Sequence, residues 1–298
     1  MPLPVLRAAW RVFADSFKSF IAHEPFRLAA ALSYYSLLSM APLLLIVIGT
    51  AGFFFGEGVV REELVSQVGA LTGTEGAALV RTVIANAEGL ERDVASILLG
   101  GGLMLFGATT VFAQLQGALN QVWQVKAAPD NALLGFLRHR VLSFALILSL
   151  GFLLMVSLIA GAILAALQGY LDTLGLTTVG WWRFVNAFVS FAFGTLLIAM
   201  IFKYLPDALI GWQNVWLGSV ITSLLLLGGR YLIGLYLGQA SVGLVFGAAG
   251  SVVVFMVWVY YAALIFFFGA EITRTVARLR GQHVEPSKHA TPADAATP

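Results

Sequence analysis

The sequence contains no cysteine and few charged residues, and both absences narrow the class of protein. Without cysteine the chain has no disulfide, no thiolate metal ligand and no thiol nucleophile. Charged residues make up 11% of the 298 positions, whereas a soluble globular domain carries about 25%. The chain therefore lacks the side chains that would cover a water-facing surface. Hydrophobic residues reach 59% and lie in long runs, which indicates an integral membrane protein.

Charge-free intervals long enough to cross a bilayer recur along the chain. A transmembrane helix needs about 20 apolar residues, and a Lys, Arg or Asp at mid-bilayer costs about 2.5–3.5 kcal/mol. The sequence therefore predicts an all-α fold with a polytopic membrane domain over residues 28–280. About six transmembrane helices are expected, at residues 28–55, 94–123, 141–171, 184–202, 208–229 and 250–270.

Three further segments are predicted to lie outside the membrane core. Residues 1–27 have an aromatic face and a basic face, which is typical of a cytoplasmic amphipathic helix on a membrane surface. Residues 57–93 carry ten charges, seven of them acidic, and two helical stretches separated at Thr72–Glu75, which predicts a small helical outer loop. Residues 281–298 are rich in Pro, Ala, Thr and Ser, which predicts a disordered cytoplasmic tail.

The distribution of basic residues predicts the orientation. With both termini inside, the inner segments hold 12 of the 17 Lys and Arg residues, and five remain outside: Arg61, Arg81, Arg92, Arg183 and Arg230. Because cytoplasmic loops carry an excess of Lys and Arg, this balance favours a multi-pass protein with cytoplasmic N- and C-termini.

Polar side chains crowd the cytoplasmic halves of the predicted spans. Polar groups inside a membrane mark either helix contacts or a substrate path. Two interpretations stay open, namely interhelical hydrogen bonding and a cytoplasm-facing polar cavity that admits a ligand. Pro42 is expected to kink its helix, and Glu271 is expected to pair with Arg274 or Arg278. The candidate residues are Ser33, Tyr34, Tyr35, Ser39, Pro42, Thr110, Gln114, Gln121, Lys203, Tyr260, Tyr261, Glu271 and Arg274.

The residues give no sign of an enzyme. The four histidines are scattered through interfacial or tail segments, and no nucleophile–base pair or carboxylate pair occurs in the spans. Gly100–Gly102 lies inside a predicted span and lacks the Lys-Ser/Thr of a phosphate-binding loop. We therefore expect no catalytic site, no bound metal, no cofactor and no nucleic-acid partner.

Three stretches together resemble the YihY/BrkB family of bacterial inner-membrane proteins. They are Ala29–Leu43, Phe112–Asn120, and Trp258–Tyr261 running on to Phe268–Glu271. The resemblance implies a six-span protein of the inner membrane, in a family with members linked to serum resistance or suspected of moving lipids. The family was formerly mislabelled ribonuclease BN. The scattered histidines argue against that activity, because metal-dependent RNA cleavage needs clustered His and carboxylate ligands.

Two functional hypotheses follow. The first is a transporter or flippase of a lipid or amphipathic anion that enters from the cytoplasmic side. The alternative is a non-transporting scaffold or envelope-integrity protein that acts through partners. The expected partners are membrane lipids, with a homo-oligomer or envelope proteins as further possibilities.

Overall fold

The structure, a computed structural model, describes residues 3–88, 94–127, 179–239, 249–282, 285–287 and 290–292, with helical positions at 156, 161, 163, 167 and 169–171. The predicted third span, 141–171, thus lies largely outside the described residues. The continuously described helices are α1 (Leu3–Ala22), α2 (Pro25–Phe55), α3 (Glu57–Glu88), α4 (Val94–Trp123), α5 (Val179–Tyr204), α6 (Trp212–Gln239) and α7 (Gly250–Leu279).

Four helices in the described part of the chain are long and apolar enough to cross a membrane. They comprise Pro25–Phe55, Ala187–Tyr204, Trp212–Ile233 and Gly250–Leu279. The prediction of an all-α membrane protein is confirmed. Helix α4 occupies the second predicted span, and the total of six spans stays a prediction.

The described membrane helices run in two opposite directions, with α2 and α6 antiparallel to α4, α5 and α7, which gives the bundle two distinct ends. One end holds the α1–α2 junction, Trp123, Tyr204 and Leu279, and is called the tail end here. The opposite end holds Phe55, Gln239 and Gly250, and is called the hairpin end. The C-terminal strands lie at the tail end, and the helical hairpin α3 lies at the hairpin end.

A sharp change of direction separates α1 from α2. Glu24 has a left-handed backbone (φ 52°), and Pro25 follows as the first residue of α2. Proline suits this position because its missing N–H has no partner in the first helical turn. The helix then continues to Phe55 through Pro42 without interruption.

Helix α3 is a hairpin of two helical stretches that folds against α2. The chain turns at Gly73, whose φ of 80° is readily adopted by glycine. The two stretches bury Val60 and Leu79 against a stripe of α2 that includes Leu44 and Ile48. The predicted division at Thr72–Glu75 agrees with this turn. The Thr72 hydroxyl donates to the carbonyl of Val68 in its own helical stretch.

Part of the C-terminal tail is ordered, so the prediction of disorder was wrong for five residues. Strand β3 (Glu285–Pro286) pairs with β2 (Ala208–Leu209), and β4 (Ala290–Pro292) pairs with β1 (Val125–Ala127). The backbone groups of the tail bond to two loops at the tail end, and composition alone does not reveal such distant partners. Residues 208–209, which were predicted to begin the fifth span, form strand β2 instead. The helix of that span, α6, begins at Trp212.

Helices α6 and α7 approach each other through two reciprocal glycine–threonine contacts. A Cβ atom on Gly218 would lie 1.6 Å from Thr273 Oγ1, and one on Gly269 would lie 1.9 Å from Thr222 Oγ1. Each threonine hydroxyl donates to the carbonyl of the glycine four residues earlier in its own helix. Small residues allow membrane helices to pack closely, and these four side-chain positions fix the register of α6 against α7.

Candidate functional site

The buried serines of α2 join helices to one another. The Ser33 hydroxyl donates to the carbonyl of Met256 in α7 at 2.7 Å. The Ser39 hydroxyl donates to the carbonyl of Gly107 in α4 at 2.6 Å. Both serine side chains thus form interhelical hydrogen bonds, which is the first of the two interpretations of the polar residues.

The other candidate residues of α2 do not converge on one cavity. Tyr34 is 52% exposed and contacts the ring of Tyr35 edge to face. Pro42 packs beside Gly107, where an added Cβ would lie 3.0 Å from its ring. These residues therefore face the outside of the bundle or a neighbouring helix.

The three predicted polar residues of α4, which step along one face as Thr110, Gln114 and Gln121, likewise form separate contacts. The Thr110 hydroxyl donates to the carbonyl of Phe106 in its own helix. The Gln121 amide donates to the carbonyl of His23 at 3.0 Å, which ties α4 to the α1–α2 junction. Gln114 is half-buried and forms no hydrogen bond with another described residue. The stripe packs helices and does not line a shared polar hollow in the described structure.

A buried polar network at the tail end was not among the predicted residues. Asp207 accepts hydrogen bonds from the side-chain amides of Asn120 (2.8 Å) and Gln116 (3.3 Å). Its backbone N–H donates to Asn120 Oδ1 at 2.8 Å, and its carbonyl accepts from the N–H of Ser287. The network connects α4, the α5–α6 loop and the tail. The position of Asp207 in a short loop beside an amide-rich helix end was a signal that could have revealed it.

Replacing Asn120 by leucine is expected to destabilise the protein. The substitution removes two hydrogen bonds and leaves a buried carboxylate short of donors, which costs about 1–3 kcal/mol. Thermal unfolding in detergent, followed by circular dichroism, should show a lower midpoint. Gln67→Leu makes the same chemical change on an exposed face of α3, and should leave the midpoint unchanged. Equal midpoints for the two variants would contradict the role assigned to this network.

Lys203 also has a local role. Its Nζ donates to the carbonyl of Ile210 and lies 5.9 Å from the ring centre of Trp212. The ammonium thus provides a hydrogen-bond donor for a backbone carbonyl in the loop between α5 and α6. Lys203 is not among the described residues that line the cleft between α5, α6 and α7.

Glu271 lies deep in the protein, and its nearest partner comes from another helix. The residue is 0% exposed, and its Oε1 lies 2.5 Å from Nδ1 of His23 at the α1–α2 junction. Arg274, the partner expected from sequence, lies 3.9 Å from Oε2 and donates to the hydroxyl of Ser19. Arg278, the other expected partner, lies 4.0 Å from Asp15.

A cleft of about 700 Å³ lies between α5, α6 and α7, with single contributions from α2 and α4. This volume is typical of small-molecule sites. Its walls are mainly leucine, isoleucine, phenylalanine and alanine side chains, and its polar lining residues are Ser190, Ser223, Arg230 and Tyr261. Tyr261 is the one sequence-predicted candidate among the described lining residues. Tyr260 instead packs against the cluster around Phe267.

Arg230 was predicted just beyond a span that ends at residue 229, and the structure places it in the last turn of the apolar stretch Trp212–Ile233. Helix α6 continues beyond Arg230 to Gln239, and Arg230 is its one charged residue. A Cβ atom added to the adjacent Gly229 would meet Tyr261 and Ile265 of α7. Because Arg230 lies about 27 Å along α6 from Trp212, at 1.5 Å per residue, it lies toward the hairpin end of the cleft.

The α5 side of the cleft also places Arg230 toward the hairpin end. Thr195 of α5 donates to Ser223 of α6 at 2.9 Å, and Arg230 lies two turns further along α6, away from the tail end. The guanidinium forms no ion pair with a carboxylate among the described residues. Charged residues within transmembrane segments usually face the bundle interior or a cavity, and they mark substrate paths.

Comparison with known proteins shows the family. The profile of the family described as virulence factor BrkB matches residues 16–294. The chain belongs to the BrkB family. The expected resemblance is thereby confirmed. Proteins named UPF0761 membrane protein are similar along most of the chain. The protein of Saccharophagus degradans is 25% identical over 275 residues, which are 92% of this chain and 61% of that protein.

Two further relatives give the same result. The UPF0761 membrane protein of Azotobacter vinelandii is 25% identical over 91% of this chain and 64% of its own length. That of Vibrio cholerae is 28% identical over 58% of this chain and 56% of its own length. This BrkB-family chain thus spans about three fifths of the length of these relatives. No solved structure matches it.

Proposed function

We propose that this BrkB-family protein binds an amphipathic anion, such as an anionic lipid, in the cleft and moves it across the bacterial inner membrane. The observation that carries the proposal is Arg230, the one charged residue of α6, which lines a mainly apolar cleft. The proposal includes no catalytic step, cofactor or nucleic-acid partner. It places the tail end in the cytoplasm, as the excess of basic residues there supports.

The two parts of the cleft have different tasks. Lipid tails are as apolar as leucine, so the walls accept an acyl chain without adding much affinity. The guanidinium offers several N–H donors in a planar fork that fits a phosphate or carboxylate. It therefore stabilises the ligand's charge inside the apolar cleft. Arg230 thus lowers the barrier to crossing for anions and not for cations.

The experiment that tests this function measures lipid movement in proteoliposomes. Fluorescent phospholipids with the same chains and either an anionic or a cationic headgroup are followed from the inner to the outer leaflet. The protein should accelerate the anionic probe above protein-free vesicles and leave the cationic probe near the protein-free rate. Rates equal to those of protein-free vesicles for both probes would reject transport and favour the scaffold hypothesis.

A further inference from the structure

The contact between Glu271 and His23 has the arrangement of a proton-binding site. Glu271 is completely buried, and its Oε2 has no hydrogen-bond partner. A buried carboxylate oxygen without a donor is costly, and protonation removes that cost by removing the charge. Carboxylates within membrane helices usually pair with another polar or charged group and often take part in proton relays. Here that partner is His23.

His23 connects the buried carboxylate to the tail-end surface. Its side chain is 14% exposed, compared with 1% for Glu271. Its Nδ1 lies next to Glu271, and its Nε2 lies 3.4 Å from the amide nitrogen of the exposed Gln124. An imidazole can accept a proton on one nitrogen while it releases one from the other. The ring therefore provides a route for a proton from the tail end to Glu271 Oε1.

One charge faces the carboxylate directly. Arg274 forms an ion pair with Glu271 Oε2 at 3.9 Å, a separation too long for a hydrogen bond, and also donates to Ser19. Helix α4 and the residue that follows it present the neutral amides of Gln121 and Gln124. Among the other charged side chains that the structure describes on the packed helices, Asp15–Arg278 and Glu24–Arg27 form pairs, and Arg11 and Lys18 are exposed.

We infer that Glu271 and His23 form a proton-binding site open to the tail end, and that this site makes movement through the cleft depend on the pH at that end. With a neutral imidazole and an ionised carboxylate the pair carries one negative charge beside Arg274, and one proton taken up from the tail end makes the pair neutral. The connection to the cleft runs along α7, because Phe266 lines the cleft between one and two turns from Glu271. The pH dependence of movement, but not the proton site itself, rests on the proposed function.

Infrared difference spectroscopy of the full chain in nanodiscs tests the proton site directly. The carbonyl band of a protonated carboxyl group should grow as the pH falls in the wild type and be lost in Glu271→Gln. In His23→Gln the band should persist with a shifted pH midpoint, which provides a second test if Glu271→Gln does not fold. Glu24→Gln removes an exposed carboxylate and should leave the band intact. Superimposable spectra of the wild type and Glu271→Gln at every pH would overturn the site.

Transport with an imposed pH gradient tests the second part separately. In proteoliposomes the rate for the anionic probe should change with the pH on the tail-end side, and Glu271→Gln should lose that dependence. A wild-type rate that does not respond to the pH on that side would overturn the coupling while the proposed function stands. The infrared band should remain in Arg230→Gln, so a failure of transport alone would not be mistaken for a failure of the proton site.

Discussion

Replacing Arg230 by glutamine is expected to slow movement of the anionic lipid by about ten- to a hundredfold. Hydrogen bonds to a charged group contribute about 1.5–3 kcal/mol, and each 1.4 kcal/mol corresponds to about a factor of ten in rate. Glutamine keeps a polar side chain of similar reach but loses the positive charge. Arg230→Lys keeps the charge without the planar fork and should retain part of the rate. The measurement is the proteoliposome assay with the anionic probe.

The control for this experiment is Arg81→Gln. Arg81 is exposed on α3 and lies outside the cleft, so its loss makes the same change of charge without touching the cleft. Both variants should elute as folded protein with the wild-type unfolding midpoint, because Arg230 forms no ion pair with a described carboxylate. Wild-type transport by folded Arg230→Gln would show that the cleft does not recognise the anion through its charge.

A methyl group on Gly218 is expected to separate α6 from α7 and to reduce the yield of folded protein sharply. The added Cβ would lie 1.6 Å from Thr273 Oγ1 and 2.7 Å from Thr273 Cβ, so rotation of the threonine side chain cannot relieve both overlaps. Overpacking of this kind costs about 1–3 kcal/mol and sometimes more. Gly269→Ala should behave similarly because it meets Thr222 at 1.9 Å. The measurement is thermal unfolding and monodispersity in detergent.

Gly228→Ala provides the matched control for Gly218→Ala. It makes the same substitution in the same helix, at a position where an added Cβ meets nothing within 4 Å. Its unfolding midpoint should equal that of the wild type or lie above it, since alanine favours the helix over glycine. Combining Gly218→Ala with Thr273→Gly should restore part of the lost stability. If Gly218→Ala and Gly228→Ala unfold at the same midpoint, the close α6–α7 contact is wrong.

The sequence predicts features that depend on local composition. Helix α2 could be anticipated almost to its ends, because its apolar run is bounded by charged residues at Arg27 and Glu57. The helical hairpin of α3 could also be anticipated, since Gly73 interrupts two amphipathic stretches. In both cases the signal lies within a few residues of the feature it predicts.

Features that depend on distant partners were missed. Treating every charge as a span boundary ended the fifth predicted span at residue 229, although α6 continues through Arg230 to Gln239. Glu271 forms the expected ion pair with Arg274, but its nearest partner, His23, is 248 positions away and was missed. The strands of the tail and the glycine–threonine contacts of α6 and α7 likewise depend on which segments meet, and periodicity does not supply this information.

The most direct test of the cleft is photo-crosslinking with an anionic lipid that carries a photoreactive group in its acyl chain. The full chain is reconstituted in lipid, irradiated and digested, and the labelled residues are identified by mass spectrometry. We expect labels on cleft residues of α5 and α6, such as Phe191 and Leu226, and expect Arg230→Gln to remove them. Labels confined to the exposed outer surface, such as Phe53 and Phe54, with the same pattern in Arg230→Gln, would contradict lipid binding in the cleft.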